Sequence, residues 1–148
     1  MDDLSGVEVL MVEDSEEDLQ LAMRAFKKAN LLNRIHVVRD GAEALDFIFC
    51  QGPYASRRIE DTPSVILLDL KLPKLDGLEV LQRIKSDPRT KIIPVVVLTS
   101  SKEHRDILAS YEMGANSYIV KPVNFDGFAK AMEGLGMYWL LLNNPPKM

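Results

Sequence analysis

Polar and charged side chains follow directly after four short apolar runs of the sequence, and these are the residues best suited to chemistry. The acids Glu13 and Asp14 follow the first run, and Asp69 follows a later one. Thr99 and Lys121 follow two further runs. Each placement alone is weak, because a carboxylate or hydroxyl after a strand commonly only caps the next helix. Their joint occurrence indicates a functional site.

Three carboxylates close together repel one another, and each raises the pKa of its neighbours. Glu13, Asp14 and Asp69 would become stable as anions around a hard divalent cation, for which Mg²⁺ (or Mn²⁺) fits best. Lys121 would place a positive charge opposite the metal, and Thr99 could donate a hydrogen bond to an oxyanion. Such a site stabilises phosphoryl oxygens, with one carboxylate as the nucleophile. Asp69 is the candidate, since it stands alone on the central strand.

The elements that must position these residues alternate between strand-like and helix-like patterns. Apolar runs predict strands, and capped or amphipathic stretches predict helices. The strands are predicted at 7–12, 35–38, 65–68, 95–98 and 117–120, and the helices at 15–30, 40–49, 76–86, 102–113 and from about Asn124. This alternation predicts an α/β fold with a parallel sheet covered on both faces. The carboxyl ends of such strands lie along one edge, where ligands bind.

The composition restricts the class of protein. A chain of 148 residues fits one domain, and 47% hydrophobic with 27% charged residues is typical of a soluble globular protein. The net charge of −4 argues against nucleic acid or an anionic membrane as the main partner. No apolar run approaches the roughly 18 residues that a membrane span needs. No signal-peptide pattern opens the sequence, so we expect a cytoplasmic protein.

The sequence resembles the receiver domain of a two-component response regulator. The resemblance rests on the acid pair in VEDS and on LLDLKLPKLDGLEVL, VVVLTSS and YIVKP, and it spans about residues 7–135. The spacings of 30 residues from Asp69 to Thr99 and 22 from Thr99 to Lys121 are also typical of that family. The resemblance implies a flavodoxin-like, doubly wound, five-stranded parallel sheet of order 2-1-3-4-5 with helices on both faces.

The resemblance also assigns roles to the acids. Asp69 would be the phosphoacceptor, and Asp14 would ligate Mg²⁺ directly together with Asp69 and the backbone carbonyl of Lys71. Glu13 stands where Asp is commoner in the family, and it would hold the metal through a water molecule. Lys71 and Ser101, each two residues past a key position, would tune the rate at which the phosphoryl group is hydrolysed.

Three further roles follow from the resemblance. Thr99 would move onto the phosphoryl group, and Lys121 would pair with it. Tyr118 would be an aromatic switch whose ring turns inward after Thr99 shifts. The Lys121–Pro122 peptide bond would be cis.

The resemblance implies a stand-alone receiver that occupies residues 1–148, with a core at about 7–135 and a C-terminal extension at 136–148. Only 27 residues follow Lys121, so no output domain is expected. The insertion at 51–63 and the tail are similar to those of small receivers that partner phytochrome-type sensor kinases. A sensor histidine kinase of that type is thus the expected phosphoryl donor. The insertion itself is interpreted as an exposed connecting loop, with a binding loop as the alternative.

The stretch MYWLLL at 137–142 consists of six apolar residues. Left exposed, it would form a large apolar patch on the surface. It either folds back onto the core of its own chain or forms an interface between two copies. We favour the interface and expect a homodimer through the C-terminal region.

Three functional hypotheses remain open, and a signalling switch is favoured. Phosphorylation would alter the face that bears the fourth helix and the fifth strand, and the signal would pass by protein contact. Such a switch is not an enzyme beyond its own phosphorylation and dephosphorylation. An aspartyl-phosphate hydrolase is disfavoured, because those enzymes usually carry a second acid where Lys71 stands. A pure interaction module is disfavoured because every position of the site is filled.

Overall fold

The computed structural model of the chain describes residues 6–100 and 104–142. Its strands are β1 (Val9–Val12), β2 (Ile35–Val38), β3 (Val65–Asp69), β4 (Val95–Thr99) and β5 (Ser117–Val120). They form one parallel sheet of order β2-β1-β3-β4-β5. The predicted α/β class and strand order are confirmed. Ser101, predicted to tune hydrolysis, lies outside the described residues.

The helices are α1 (Glu16–Lys28), α2 (Gly41–Ile48), α3 (Gly77–Ser86), α4 (His104–Glu112), α5 (Phe125–Gly134) and α6 (Trp139–Leu142). Four of them begin after a side chain that accepts a hydrogen bond from the first turn, and these caps are Ser15, Asp40, Asp76 and Asn124. The caps fix where each helix leaves the carboxyl edge of the sheet. None of the helices in the described part of the chain is both long enough and apolar enough to cross a bilayer.

The sheet is buried on both faces, as the absence of polar alternation in its strands predicts. Helices α1 and α5 cover one face, where the rings of Phe26 and Phe128 meet edge-to-face with centroids 5.2 Å apart. Helices α2 and α3 cover the other face. Strands β3 and β4 are buried along their whole length. The ends of these two buried strands carry Asp69 and Thr99.

The apolar stretch at 137–142 folds back onto the core of its own chain. Met137 and Leu140 are buried in the layer between the sheet and helices α1 and α5. Tyr138 and Trp139 remain at the surface, each 45% exposed. The intramolecular alternative thus accounts for part of the stretch, and two aromatic side chains are left exposed. The homodimer stays a prediction.

The inserted loop at 51–63 is held against the edge of the sheet. The hydroxyl of Tyr54 donates a hydrogen bond to Oε2 of Glu43 at 2.8 Å and lies 2.9 Å from Nε2 of His36 on β2. Burial and the hydrogen bond with Glu43 raise the pKa of Tyr54. The guanidinium of Arg57 lies 3.8 Å from the centroid of an aromatic ring of α2. These contacts give the loop a fixed course beside β2.

Candidate functional site

The strand ends bring the predicted site residues to one edge of the sheet. Asp69 is the last residue of β3, and Thr99 is the last residue of β4. Lys121 directly follows β5, and its peptide bond to Pro122 is cis, as predicted. A cleft of about 270 Å³ opens at this edge. It is lined by Asp69, Leu70, Lys71, Asp76, Leu78, Thr99, Ser100 and Lys121.

The ammonium group of Lys121 is the centre of the site. Its Nζ atom lies 2.9 Å from Oδ2 of Asp18, 3.0 Å from Oδ2 of Asp69 and 3.0 Å from Oε1 of Glu13. Burial alone would lower the pKa of Lys121, but the hydrogen bonds with Asp18, Asp69 and Glu13 raise it overall. Lys121 therefore stays protonated and joins three carboxylates that come from different parts of the fold.

Glu13 is fully buried directly after β1. Its Oε2 atom accepts the backbone N–H groups of Asp14 at 3.0 Å and Ser15 at 3.1 Å. Burial raises the pKa of Glu13 to about 7, and the neighbouring Asp69 adds to the rise. Oε2 also accepts a hydrogen bond from Nζ of Lys121 at 3.3 Å, and the other oxygen, Oε1, forms an ion pair with the same ammonium at 3.0 Å. Among the described residues Oε1 has no further hydrogen-bond partner, so a metal ion would have to take the place of the ammonium there.

Asp69 is only 5% exposed, and each of its side-chain oxygens has a partner. Oδ1 accepts the backbone N–H of Lys71 at 3.2 Å, and Oδ2 accepts a hydrogen bond from Lys121 at 3.0 Å. Helix α3 begins directly against this strand end. A Cβ atom at Gly77 would lie 2.4 Å from the carbonyl oxygen of Asp69, so only glycine permits the approach.

The remaining predicted residues occupy different positions around the cleft. Asp14 joins the cluster through its backbone, while its carboxylate is exposed. Lys71 and the buried Thr99 line the cleft. Tyr118 is 39% exposed, and its ring meets that of Tyr111 edge-to-face at 6.1 Å. Glu13, Asp69, Thr99 and Lys121 are therefore brought together, whereas the side chain of Asp14 is exposed and Tyr118 is not among the residues that line the cleft.

The donor set suits a hard divalent cation. Glu13, Asp14 and Asp69 offer carboxylate oxygens, which Mg²⁺ and Mn²⁺ prefer, and among the described residues the buried Oε1 of Glu13 has only the Lys121 ammonium as a partner. Among residues 6–100 and 104–142, no three acidic, histidine or cysteine side chains are already arranged as a metal centre. Instead, the ammonium of Lys121 forms ion pairs with Glu13, Asp18 and Asp69. A cation would therefore have to compete with Lys121 for Glu13 and Asp69.

Asp18 is a site residue that the sequence pattern did not single out. It belongs to the acidic first turn of α1, which the pattern explains by the helix dipole. Its carboxylate nevertheless forms the shortest of the three contacts of Lys121. The position of Asp18 in the sequence could have indicated its role. It lies four residues after Asp14 in the first turn of α1, and so stays near the same edge of the sheet.

Comparison with known proteins identifies the family. The model of the response regulator receiver domain matches residues 9–133, which is most of the chain. The chain belongs to the response regulator receiver domain family. As a receiver of this kind it is a phosphorelay response regulator, and the family is one of signalling receivers.

Small receivers are among the most similar proteins. The response regulator Rcp1 of Synechocystis sp. is 42% identical over 132 residues, which are 89% of this chain and 88% of Rcp1. The structure of the bacteriophytochrome response regulator RtBRR is 51% identical, with a TM-score of 0.83, and the match covers 93% of this chain and 82% of that one.

Two solved structures bear on the chemistry of relatives. One is a crystal structure of the Mn²⁺-bound form of Rcp1. Its sequence is 40% identical and its TM-score is 0.70, and the match covers 89% of this chain and 93% of that one. The cyanobacterial phytochrome response regulator RcpA was crystallised in phosphorylated form; it is 38% identical with a TM-score of 0.72, covering 93% and 95%. Receivers similar to this one thus bind a divalent metal and carry a phosphoryl group.

Proposed function

We propose that this receiver accepts a phosphoryl group on Asp69 from a phosphohistidine of a sensor histidine kinase, in a reaction that depends on a divalent cation. The observation that carries the proposal is the contact of 3.0 Å between Asp69 and the Lys121 ammonium in a cleft that Thr99 also lines. A carboxylate nucleophile, a fixed cation and a hydroxyl donor stand together there. That combination suits the transfer of a phosphoryl group.

The transfer exchanges one bond to phosphorus for another. A carboxylate oxygen of Asp69 attacks phosphorus, and the bond from phosphorus to the imidazole nitrogen of the donor breaks. The bonding electron pair stays with the imidazole, which leaves neutral when its other nitrogen carries a proton. The N–H of Lys71 orients the carboxylate through Oδ1, and Lys121 stands beside Oδ2 to pair with the incoming phosphoryl oxygens. The product is an acyl phosphate on Asp69.

The residues proposed to hold the cation are Glu13, Asp14, Asp69 and the backbone carbonyl of Lys71. When bound, Mg²⁺ supplies neutralisation of the negative charge on the phosphoryl oxygens. Mn²⁺ has the same preference for oxygen ligands and serves as an alternative. Asp14 is exposed and so can be reached from solvent, whereas Glu13 is fully buried.

The signal is proposed to leave the site through Thr99 and Tyr118. The new dianionic group attracts the hydroxyl of Thr99, and that shift makes room for the ring of Tyr118 to turn inward from its partly exposed position beside Tyr111. The face formed by α4 and β5 then changes its population of states. A partner protein that recognises this face receives the signal, and the chain acts as a stand-alone receiver.

Incubation with a small acyl phosphate and Mg²⁺, followed by intact-mass measurement, tests the proposal. The wild-type protein is expected to gain the mass of one phosphoryl group, and Asp69→Asn is expected to gain none. Asp126→Asn, a matched change at an exposed acid of α5, should be modified like the wild type. An unmodified wild-type protein, or equal modification of Asp69→Asn, would refute the role of Asp69.

The kinase is proposed to be of the phytochrome type. The support is the similarity to RtBRR and RcpA, both described as phytochrome response regulators, and to Rcp1, of which this chain covers 88%. The cytoplasm is the proposed location, because a kinase that takes its phosphoryl group from ATP presents the phosphohistidine there. The net charge of −4 agrees with a protein partner rather than nucleic acid.

The receiver is further proposed to form a homodimer through its C-terminal region. Tyr138 and Trp139 are both nearly half exposed beside buried Met137 and Leu140, so they present aromatic surface on a well-anchored segment. Exposed aromatic side chains of this kind are typical anchors of protein interfaces. A second copy would cover them.

A further inference from the structure

Asp18 holds Lys121 from a different direction than the other two acids. Its Oδ2 atom lies 2.9 Å from Nζ of Lys121, and its side chain is 33% exposed against 8% for Asp69 and 1% for Glu13. Asp18 thus stands on the solvent side of the ammonium, on α1, whereas the other two stand at the ends of β1 and β3. The ammonium has three N–H groups to donate, and the three acids that accept them come from α1 and from the ends of β1 and β3.

The carboxylate of Asp18 does not make the capping hydrogen bond that is common for an acid at its position in a helix. Asp18 is the third residue of α1, where an acidic side chain commonly returns to the backbone N–H of the capping residue. Here the N–H of the cap, Ser15, donates to Glu13 at 3.1 Å instead. Asp18 contributes only its own N–H to the cap, which donates to Oγ of Ser15 at 3.3 Å. Its side chain therefore serves Lys121 rather than the helix end.

In the proposed function, two of the three acids that contact Lys121 are also metal ligands, and the third is not. Glu13 and Asp69 would have to serve a divalent cation, and both are now paired with Lys121. Asp18 belongs to no proposed metal ligand set, so it can keep the ammonium while the other two exchange it for the metal. Without Asp18, the ammonium would have only Glu13 and Asp69 as charged partners among these contacts, and a cation would compete with it directly.

We propose that Asp18 is a positioning residue that draws the ammonium of Lys121 toward α1 and so lowers its competition with a divalent cation for Glu13 and Asp69. This inference rests on the proposed function, because it needs a cation at the acids. According to this inference, a residue in the first turn of α1 affects the affinity of the receiver for a divalent cation. The charge of Lys121 stays within reach of the phosphoryl group, held by a residue outside the metal site.

Calorimetric titration of Mg²⁺ into the unphosphorylated protein tests this inference without any measurement of activity. Asp18→Asn is expected to weaken Mg²⁺ affinity about 3- to 10-fold, because it leaves Lys121 to compete for the metal ligands. Glu17→Gln removes the same charge at the neighbouring exposed position and is expected to change affinity less than about twofold. Asp18→Glu retains a carboxylate and is expected to restore most of the affinity.

The decisive comparison is made in a Lys121→Met background. There, Asp18→Asn is expected to change Mg²⁺ affinity no more than Glu17→Gln does, because the competing ammonium is gone. Equal effects of Asp18→Asn with and without Lys121, or equal effects of Asp18→Asn and Glu17→Gln, would show a general effect of charge and overturn the inference. Urea unfolding of each variant checks that the fold is kept.

The outcomes separate this inference from the proposed function. Failure of the proposed function appears as a wild-type protein that takes no phosphoryl group from an acyl phosphate. Failure of the inference alone appears as Mg²⁺ affinity of Asp18→Asn equal to wild type, in a protein that is still phosphorylated on Asp69. A wild-type protein that binds no Mg²⁺ would overturn both.

Discussion

Lys121 carries one positive charge among the carboxylates of Glu13, Asp18 and Asp69. One ammonium cannot balance three carboxylates once Glu13 is ionised, which happens as the pH rises through its pKa of about 7. The site then carries a net negative charge in a partly buried place. The exposed carboxylate of Asp14 adds to it. A divalent cation would complete the neutralisation, which is why an acid-rich site with an internal lysine can both stand alone and accept a metal.

The pH dependence of stability tests the burial of Glu13. Its pKa is raised from an ordinary 4.5 to about 7, so the folded state binds the proton more tightly than the unfolded chain. This contribution is fully present below about pH 4.5 and is lost as the pH rises through about 7. In EDTA, the free energy of unfolding of the wild type should therefore fall relative to Glu13→Gln between pH 5 and 8, as measured by urea denaturation.

The matched control for this titration is Glu17→Gln, which makes the same change at an exposed position of α1. Its unfolding curve should follow that of the wild type across the pH range. Parallel curves for wild type and Glu13→Gln would contradict a raised pKa at Glu13.

Sequence patterns predicted which residues meet at the site better than how each one is used. Asp69, Thr99 and Lys121 follow strands, and a parallel sheet places strand ends together whatever the details. The role of Asp18 depends on a local competition, because Glu13 takes the N–H that would otherwise occupy an acid in the first turn. The exposure of the Asp14 carboxylate is likewise a matter of side-chain direction, which spacing in a sequence does not give.

At the scale of elements, the predictions hold where a pattern repeats over several residues. The strands at 35–38 and 117–120 and the start of α1 after Ser15 agree with the structure. Two single turns of 3₁₀-helix, Leu32–Arg34 and Gly52–Tyr54, were not predicted, because three residues carry no periodicity. The short helix α6 is not predicted either, because an uninterrupted apolar run shows no amphipathic face.

The close contact between α3 and the end of β3 requires glycine at position 77, and this requirement can be tested. A Cβ atom at Gly77 would lie 2.4 Å from the carbonyl oxygen of Asp69 and 2.6 Å from Cα of Leu70. Backbone atoms cannot yield cheaply, so Gly77→Ala should lower the free energy of unfolding by about 1–3 kcal/mol, measured by urea denaturation. It should also slow phosphorylation, because it moves the strand end that carries Asp69.

Gly134→Ala is the matched control at the end of α5, where an added Cβ would meet nothing within 4 Å. It should be neutral or raise the free energy of unfolding by up to about 1 kcal/mol, since alanine favours the helix. Equal destabilisation by the two substitutions would contradict the close packing of α3 on β3.

At the scale of the whole molecule, the strand order explains where the site lies. The order reverses between β1 and β3, which pair with Val12 opposite Leu68. The next residues, Glu13 and Asp69, therefore emerge side by side at the switch point of the sheet, where open parallel sheets bind ligands. Periodicity predicts five strands but cannot order them, so the order was available only through the family resemblance.

Assembly is the second property of the whole molecule that can be tested. If the C-terminal region forms a homodimer, sedimentation at micromolar concentration should show a dimer. Trp139→Ala should weaken association by about tenfold, as loss of an aromatic anchor does. Ile92→Ala removes a side chain that is 78% exposed elsewhere and should leave association unchanged. A monomer at this concentration, phosphorylated or not, would contradict the dimer.

The most direct test of the account is to locate the phosphoryl group on the chain. After reaction with an acyl phosphate and Mg²⁺, borohydride reduction converts an aspartyl phosphate to homoserine, and peptide mass spectrometry then finds the altered residue. The account predicts homoserine at position 69 and at no other acid. Homoserine at Asp14, Asp18 or Asp76 instead, or no homoserine in a protein that has gained a phosphoryl group, would contradict it.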